Sequence, residues 1–173
     1  MAPRGLFTEP GYQLGVVPGA LAHRYGGEGR VVPDVAMDGD PTTGIVTGQT
    51  QRFPNGAVKY SEARYGGTSL SSPLFAGYMA LADQAAGFAH GFVNPALYAL
   101  AGSGAIRDVR PTGEQLASVR RDYNNGVNAA NGYTVSLRTL DTDSSLRTRK
   151  GYDDVTGLGS PRGDRLIAAL KAP

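Results

Sequence analysis

Hydrophobic and polar positions along the chain fall into short blocks separated by glycine- and proline-marked turns. Residues 1–29 carry little periodicity and read as loop, with 1–10 a poorly defined leader. Residues 30–38, RVVPDVAMD, are short and apolar with an early proline, as in a buried strand. Residues 40–44, DPTTG, form a turn, and IVTGQ continues as a strand. In FPNGAVKY, residues 53–60, the Asn55-Gly56 pair between strand-like flanks predicts a hairpin. A helix is predicted over 70–86, where apolar Leu74, Tyr78, Leu81, Ala82 and Ala85 recur at spacings of three and four and Gly87 supplies the stop. A short helix is predicted over 94–100, with Asn94 as N-cap and Pro95 at its first position. Residues 106–110 are briefly extended, and 111–150 are polar and turn-rich with one strand near 133–137. A last helix is expected to be capped by Ser160, opened by Pro161 and filled by LIAAL.

Composition narrows the class. The 173 residues suffice for one domain with a real core, and 40% hydrophobic content marks a globular chain. The 25 glycines and 11 prolines favour many tight turns between short elements. Neither repeats nor low-complexity segments interrupt the pattern, so a single domain is the simplest organisation. A net charge of +2, without a Lys/Arg block or spaced aromatic platform, argues against nucleic acid as a partner. No cysteine is present, which excludes a disulfide framework and thiolate metal sites. No apolar run reaches membrane-spanning length, and residues 1–20 lack the charged and apolar regions of a signal peptide.

The chemistry concentrates at GGTSLSSP, residues 66–73. A serine at a helix start is most simply an N-cap. Backbone N–H groups there also lack intrahelical partners and favour an anion, such as the oxyanion of a tetrahedral intermediate. Gly66 and Gly67 remove side chains from the approach to Ser69. Local physics alone leaves cap and nucleophile both open.

Four stretches, in matching order and spacing, resemble the sedolisin family, the serine-carboxyl peptidases with a subtilisin-like fold. GGTSLSSP is similar to the family's nucleophile motif, with Ser69 in the nucleophile position. RVVPDVAMDGDPTTG (residues 30–44), IRDV (106–109) and RKGYDDVTGLGSP (149–161) resemble further family segments. The resemblance runs from about Gly11 to Leu170. It implies an α/β fold, a subtilisin-like parallel sheet flanked by helices, of which residues 1–173 are the C-terminal portion only. It also implies a Ca2+ site, with side-chain oxygens from Asp108 and Asp153 and backbone carbonyls from Val109, Arg149 and Gly151. Calcium suits such a mixture of carboxylate and carbonyl oxygens. Arg149 stands where the family usually has glycine, so its side chain is expected to point outward. Without the resemblance, Asp108 and Asp153 are aspartates capping turns.

The base is the gap in the pattern. In sedolisins it is a glutamate paired with an aspartate on an upstream helix, with a further aspartate at the oxyanion hole. Glu9 and Glu28 lie in loop-like stretches, Glu62 and Glu114 fall in the wrong register, and His23 and His90 lack the context of a subtilisin histidine. The resemblance therefore implies a secreted, calcium-stabilised serine-type endopeptidase acting on peptide or protein substrates. Its isolated chain would lack the N-terminal part of the catalytic domain, and a pro-segment is usual in the family. A cut sheet would expose a strand edge and apolar surface. A non-catalytic calcium-binding module or degenerate paralogue is the alternative from a different class, and a subtilisin-type fragment is a third.

Overall fold

Asn55 and Gly56 make the turn that their sequence predicts. Asn55 Oδ1 accepts from the Ala57 N–H at 3.1 Å, and the Gly56 N–H donates to the Phe53 carbonyl at 2.9 Å. The flanks pair antiparallel as β1 (Ile45–Arg52) and β2 (Val58–Tyr65), in register from Arg52 opposite Val58 to Ile45 opposite Tyr65. The computed structural model describes residues 7–24, 29–110, 117–139 and 147–171, so Glu28 and Glu114 fall outside the described residues.

The chain divides into two compact units, one of residues 1–37, 75–113 and 144–173, the other of residues 38–74 and 114–143. The second unit contains the β1–β2 hairpin and another antiparallel pair, β4 (Ala117–Tyr123) with β5 (Tyr133–Thr139). The sequence predicts β5 but not β4, whose polar VRRD stretch offers no apolar face. Arg64 joins the hairpins: its guanidinium donates to the carbonyls of Val127 and Gly44 at 2.7 and 2.8 Å, and its N–H to the Gly126 carbonyl at 2.6 Å. Large apolar residues stay exposed on both, among them Val58, Tyr60, Val119 and Leu137.

The core lies in the first unit. Val17, Ala82, Leu97, Tyr98, Ile106, Leu158, Leu166 and Leu170 are buried together. Helix α1 (Gly19–Ala22) is a single turn within a stretch expected to be loop. Helix α2 (Thr68–Ala86) starts two residues before its predicted position, and the boundary between units falls within it, after Leu74. Its buried positions match the predicted stripe only in part: Ala82 is fully buried as expected. Phe75, Met79 and Ala82 meet the core, whereas Leu74 and Leu81 are 41% and 51% exposed. Both stripes have helical period, so periodicity alone does not choose between them.

Helix α3 (Asn94–Ala99) is capped by Val93, which corrects the expected Asn94 cap. Ser160 and Pro161 do not begin the last helix. They form β6 (Ser160–Pro161) and pair antiparallel with β3 (Ile106–Arg107), and α4 (Gly163–Lys171) follows. Thus the architecture is mixed helix and strand, as expected, but every sheet among the described residues is two-stranded and antiparallel. The expected parallel sheet is not among them. Residues 30–38 are extended without forming a strand. They are held by backbone bonds from Leu158 N–H to Asp34 O and from Ala36 N–H to Gly159 O, at 2.9 and 3.0 Å.

A buried polar network completes that anchorage. Gln13, fully buried, donates to the Val31 carbonyl and to Tyr98 Oη, and accepts from the Val31 N–H. Tyr98 Oη donates to Asp34 Oδ1 at 2.9 Å, and Asp34 Oδ2 pairs with Arg30. Burial pushes the Tyr98 phenol up, and burial likewise pushes Tyr152 up to about 12. Both hydroxyls therefore remain donors, Tyr152 to the Pro33 carbonyl at 2.8 Å.

Candidate active site and metal-binding loop

Ser69 lies in the first turn of α2 rather than at its cap. Gly67 takes the cap position, because its carbonyl accepts from the N–H groups of Leu70 and Ser71 at 3.0 and 3.2 Å. The Ser69 hydroxyl is thus free of capping duty. It is exposed and has no hydrogen-bond partner among the described residues.

Two contacts seat this turn. The Gly67 N–H donates to the Gly39 carbonyl at 2.6 Å, and Ser71 Oγ donates to the Asp38 carbonyl at 2.8 Å. A side chain at Gly66 would put its Cβ 2.5 Å from Pro41 N and 2.8 Å from the Gly39 carbonyl oxygen, so only glycine permits this approach. The DPTTG turn and the Tyr65-Gly66-Gly67 segment therefore pack backbone to backbone. Asp38 holds that turn in shape, its Oδ1 accepting from Asp40 N–H and Thr43 Oγ1. Sequence reasoning missed Ser71. A second serine in the helix's first turn is the signal for it, since residues two apart point to different sides and only one of the two can face solvent.

Both histidines belong to the first unit, and Ser69 to the second. His90 has both ring nitrogens committed: Nδ1 lies 2.6 Å from Asp83 Oδ1 and Nε2 lies 2.8 Å from the Leu170 carbonyl. His23 is exposed, and Glu62 is occupied at β2, accepting from Tyr60 Oη at 2.7 Å.

The loop residues Asp108, Val109, Arg149, Gly151 and Asp153 all belong to the first unit. Asp153 is buried at 1% exposure and organises its own loop. Its Oδ2 accepts from the Arg149 N–H at 2.9 Å, its Oδ1 accepts from the N–H groups of Val155 and Thr156 at 2.9 and 2.7 Å, and Thr156 Oγ1 approaches both oxygens. The two halves meet at Asp108, whose Oδ2 accepts from the Gly151 N–H at 3.0 Å and from Arg110 Nε at 2.8 Å. Its Oδ1 is buried without a partner among the described residues. Desolvation pushes this carboxyl up, but the Gly151 N–H and the Arg110 guanidinium together outweigh it and hold the group below the usual range.

A buried, orphaned carboxylate oxygen carries an unmet electrostatic demand. Val109, Arg149 and Gly151 offer carbonyls that accept no hydrogen bond among the described residues. Carboxylate and carbonyl oxygens are the donors a hard cation takes, although both Asp153 oxygens already accept from N–H and O–H groups of their own loop. The described residues contain no cluster of three or more His, Cys, Asp or Glu side chains, so this donor set relies on backbone. Arg149 is exposed, and no non-glycine residue among those described has a positive φ, so the arginine fits there without strain.

Sequence comparison gives the class. The chain is 32% identical over 168 residues, 95% of its length, to kumamolisin of Bacillus sp. (strain MN-32). It is 31% identical over 134 residues, 76% of its length, to xanthomonalisin of Xanthomonas sp. (strain T-22). Both relatives are sedolisin family peptidases, and the chain belongs to that family. It spans only 24% and 12% of the length of these two proteins. No family model matches the chain.

Proposed function

We propose that this chain is the C-terminal, nucleophile-bearing portion of a secreted serine-type endopeptidase of the sedolisin kind. The observation that carries the reading is the Ser69 hydroxyl, exposed and unpaired in the first turn of α2. Ser69 Oγ attacks the scissile carbonyl of a peptide or protein substrate to form an acyl-enzyme. The N–H groups of the first turn of α2 favour the developing negative charge. Gly66 and Gly67 leave the approach open to a substrate backbone. The base and the aspartate of the oxyanion hole belong to the part of the relatives' length that this chain does not span. That portion is its chief partner, and the exposed apolar residues of the hairpins, such as Val58 and Leu137, are consistent with such a covering.

In this reading Asp108 and Asp153, with the carbonyls of Val109, Arg149 and Gly151, hold Ca2+. When bound, the ion neutralises the two carboxylates and locks the loops together without entering the chemistry. A second reading, a calcium-stabilised module without catalysis, is favoured by one observation: among the described residues no carboxylate or imidazole bonds to Ser69.

The test is expression of this chain in frame with its preceding genomic segment, assayed against a denatured protein substrate under acidic conditions. Cleavage that is lost in Ser69→Ala supports the peptidase. Cleavage retained in Ser69→Ala removes Ser69 from the mechanism, and no cleavage from the intact gene product favours the module.

A further inference from the structure

The geometry around His90 points to a proton-operated latch. We propose that doubly protonated His90 ties the C-terminal helix α4 to the end of α2, and that loss of one ring proton releases it.

The argument rests on who can donate. His90 Nδ1 faces a carboxylate oxygen, Asp83 Oδ1, at 2.6 Å, and Nε2 faces a backbone carbonyl oxygen, that of Leu170, at 2.8 Å. Neither partner carries a hydrogen to give when Asp83 is ionised. A neutral imidazole has one N–H and one lone pair, so it satisfies only one of these contacts. The other becomes lone pair against lone pair. Only imidazolium makes both.

The surroundings reinforce this. The ring is 9% exposed, with the Phe88 ring 4.8 Å away between centroids. Asp83 is held in place by the end of its own helix. Its carboxylate also accepts from the His90 N–H at 3.1 Å, and its carbonyl accepts from the Gly87 N–H, closing α2. Leu170 lies in the last turn of α4, where the helix dipole is negative and a cation is favoured. Asp83 from α2 and the Leu170 carbonyl from α4 are the groups that face the ring; Phe88, from the segment after α2, is neutral, and among the described residues no other charged group acts on the imidazole. The latch spans 80 residues, from a segment after α2 to the end of the fold's last helix.

The sign follows from the shifts. The hydrogen bond to Asp83, then the one to the Leu170 carbonyl, raise the imidazole above its ordinary value, and burial offsets only part of this. The bond from the His90 ring lowers Asp83. A raised histidine stabilises fully below its unfolded value of about 6.5 and loses that contribution as pH rises through its folded value. A depressed aspartate loses its contribution as pH falls through its own folded value. The latch is therefore closed in mild acid and opens toward alkaline pH.

Ring-nitrogen NMR on the 173-residue chain, with His90→Gln to assign the resonances, tests the idea directly. The expected result is two protonated nitrogens on His90 at about pH 6 and a midpoint above about 6.5. Amide exchange in α4, corrected for its intrinsic pH dependence, should then accelerate as pH rises through that midpoint. In His90→Gln this extra acceleration should vanish. A single neutral tautomer at about pH 6 overturns the proposal. So does an exchange profile for α4 that is the same in both proteins. If His90→Gln does not fold, the resonance pattern and midpoint of the unmodified chain, assigned against His23→Gln, decide alone.

Discussion

Asp108 Oδ2 accepts the Gly151 N–H at 3.0 Å, joining two loops 43 residues apart, while its other oxygen is buried without a partner among the described residues. If that oxygen awaits calcium, added Ca2+ should raise the melting temperature of the chelator-treated chain. Ligand at about a hundred times its Kd stabilises by about 2.7 kcal/mol. Asp108→Asn should remove most of the shift. Absence of both binding heat and thermal shift in the unmodified chain would end the calcium assignment.

Asp153 should matter even without metal. Its carboxylate satisfies the N–H groups of Arg149, Val155 and Thr156, so Asp153→Ala strands several donors in a buried loop. Each unmet buried donor costs roughly 1–3 kcal/mol. Denaturant unfolding in excess chelator should therefore show a loss of several kcal/mol, on the order of 3. A loss no larger than that of Asp108→Asn under the same conditions contradicts this role.

Ser69 and Ser71 should separate cleanly. Ser69 is exposed and unpaired, so Ser69→Ala should change stability by less than about 0.5 kcal/mol. Ser71→Ala removes the bond to the Asp38 carbonyl and should cost about 1 kcal/mol. Chemical denaturation of the two variants side by side checks the ordering.

Gly157 is a steric and conformational requirement. Its φ is +62°, and a Cβ there would collide with the carbonyl oxygens of Pro33 and Asp34. Gly157→Ala should destabilise by at least about 2 kcal/mol, since the backbone must move. A melting temperature indistinguishable from the unmodified chain's would show that the two segments do not meet as described.

The choice of buried face on α2 is also measurable. Met79→Ala, on the side of α2 packed against the core, should cost about 2 kcal/mol or more. Leu81→Ala, half-exposed, should cost less than about 1 kcal/mol in the isolated chain.

Much of the local structure is legible from short-range rules. The Asn55-Gly56 hairpin, the glycine stop after α2 and the serine at the start of that helix each depend on residues within a few positions of one another. Turn chemistry and capping act over that range, so the sequence displays them. The motifs around Ser69, Asp108 and Asp153 also pointed to the family, which the comparisons with kumamolisin and xanthomonalisin support. Apart from the Asn94 cap, the expectations that failed turn on distant contacts. Ser160-Pro161 looks like a helix start, yet pairs with residues 106–107; the stripe through Leu74, Leu81 and Ala82 has the right period, yet Phe75 and Met79 join Ala82 at the core while Leu74 and Leu81 are exposed.

What the sequence determined alone was therefore a set of short-range structures, the Asn55-Gly56 hairpin and the stop at Gly87 among them, and the family. The tertiary structure decided which helix face is buried, that Asp108 meets Gly151, and that His90 is held between Asp83 and the Leu170 carbonyl. The physical reason is that propensity and capping act over single turns, whereas burial and partner choice depend on segments brought together from tens of residues away.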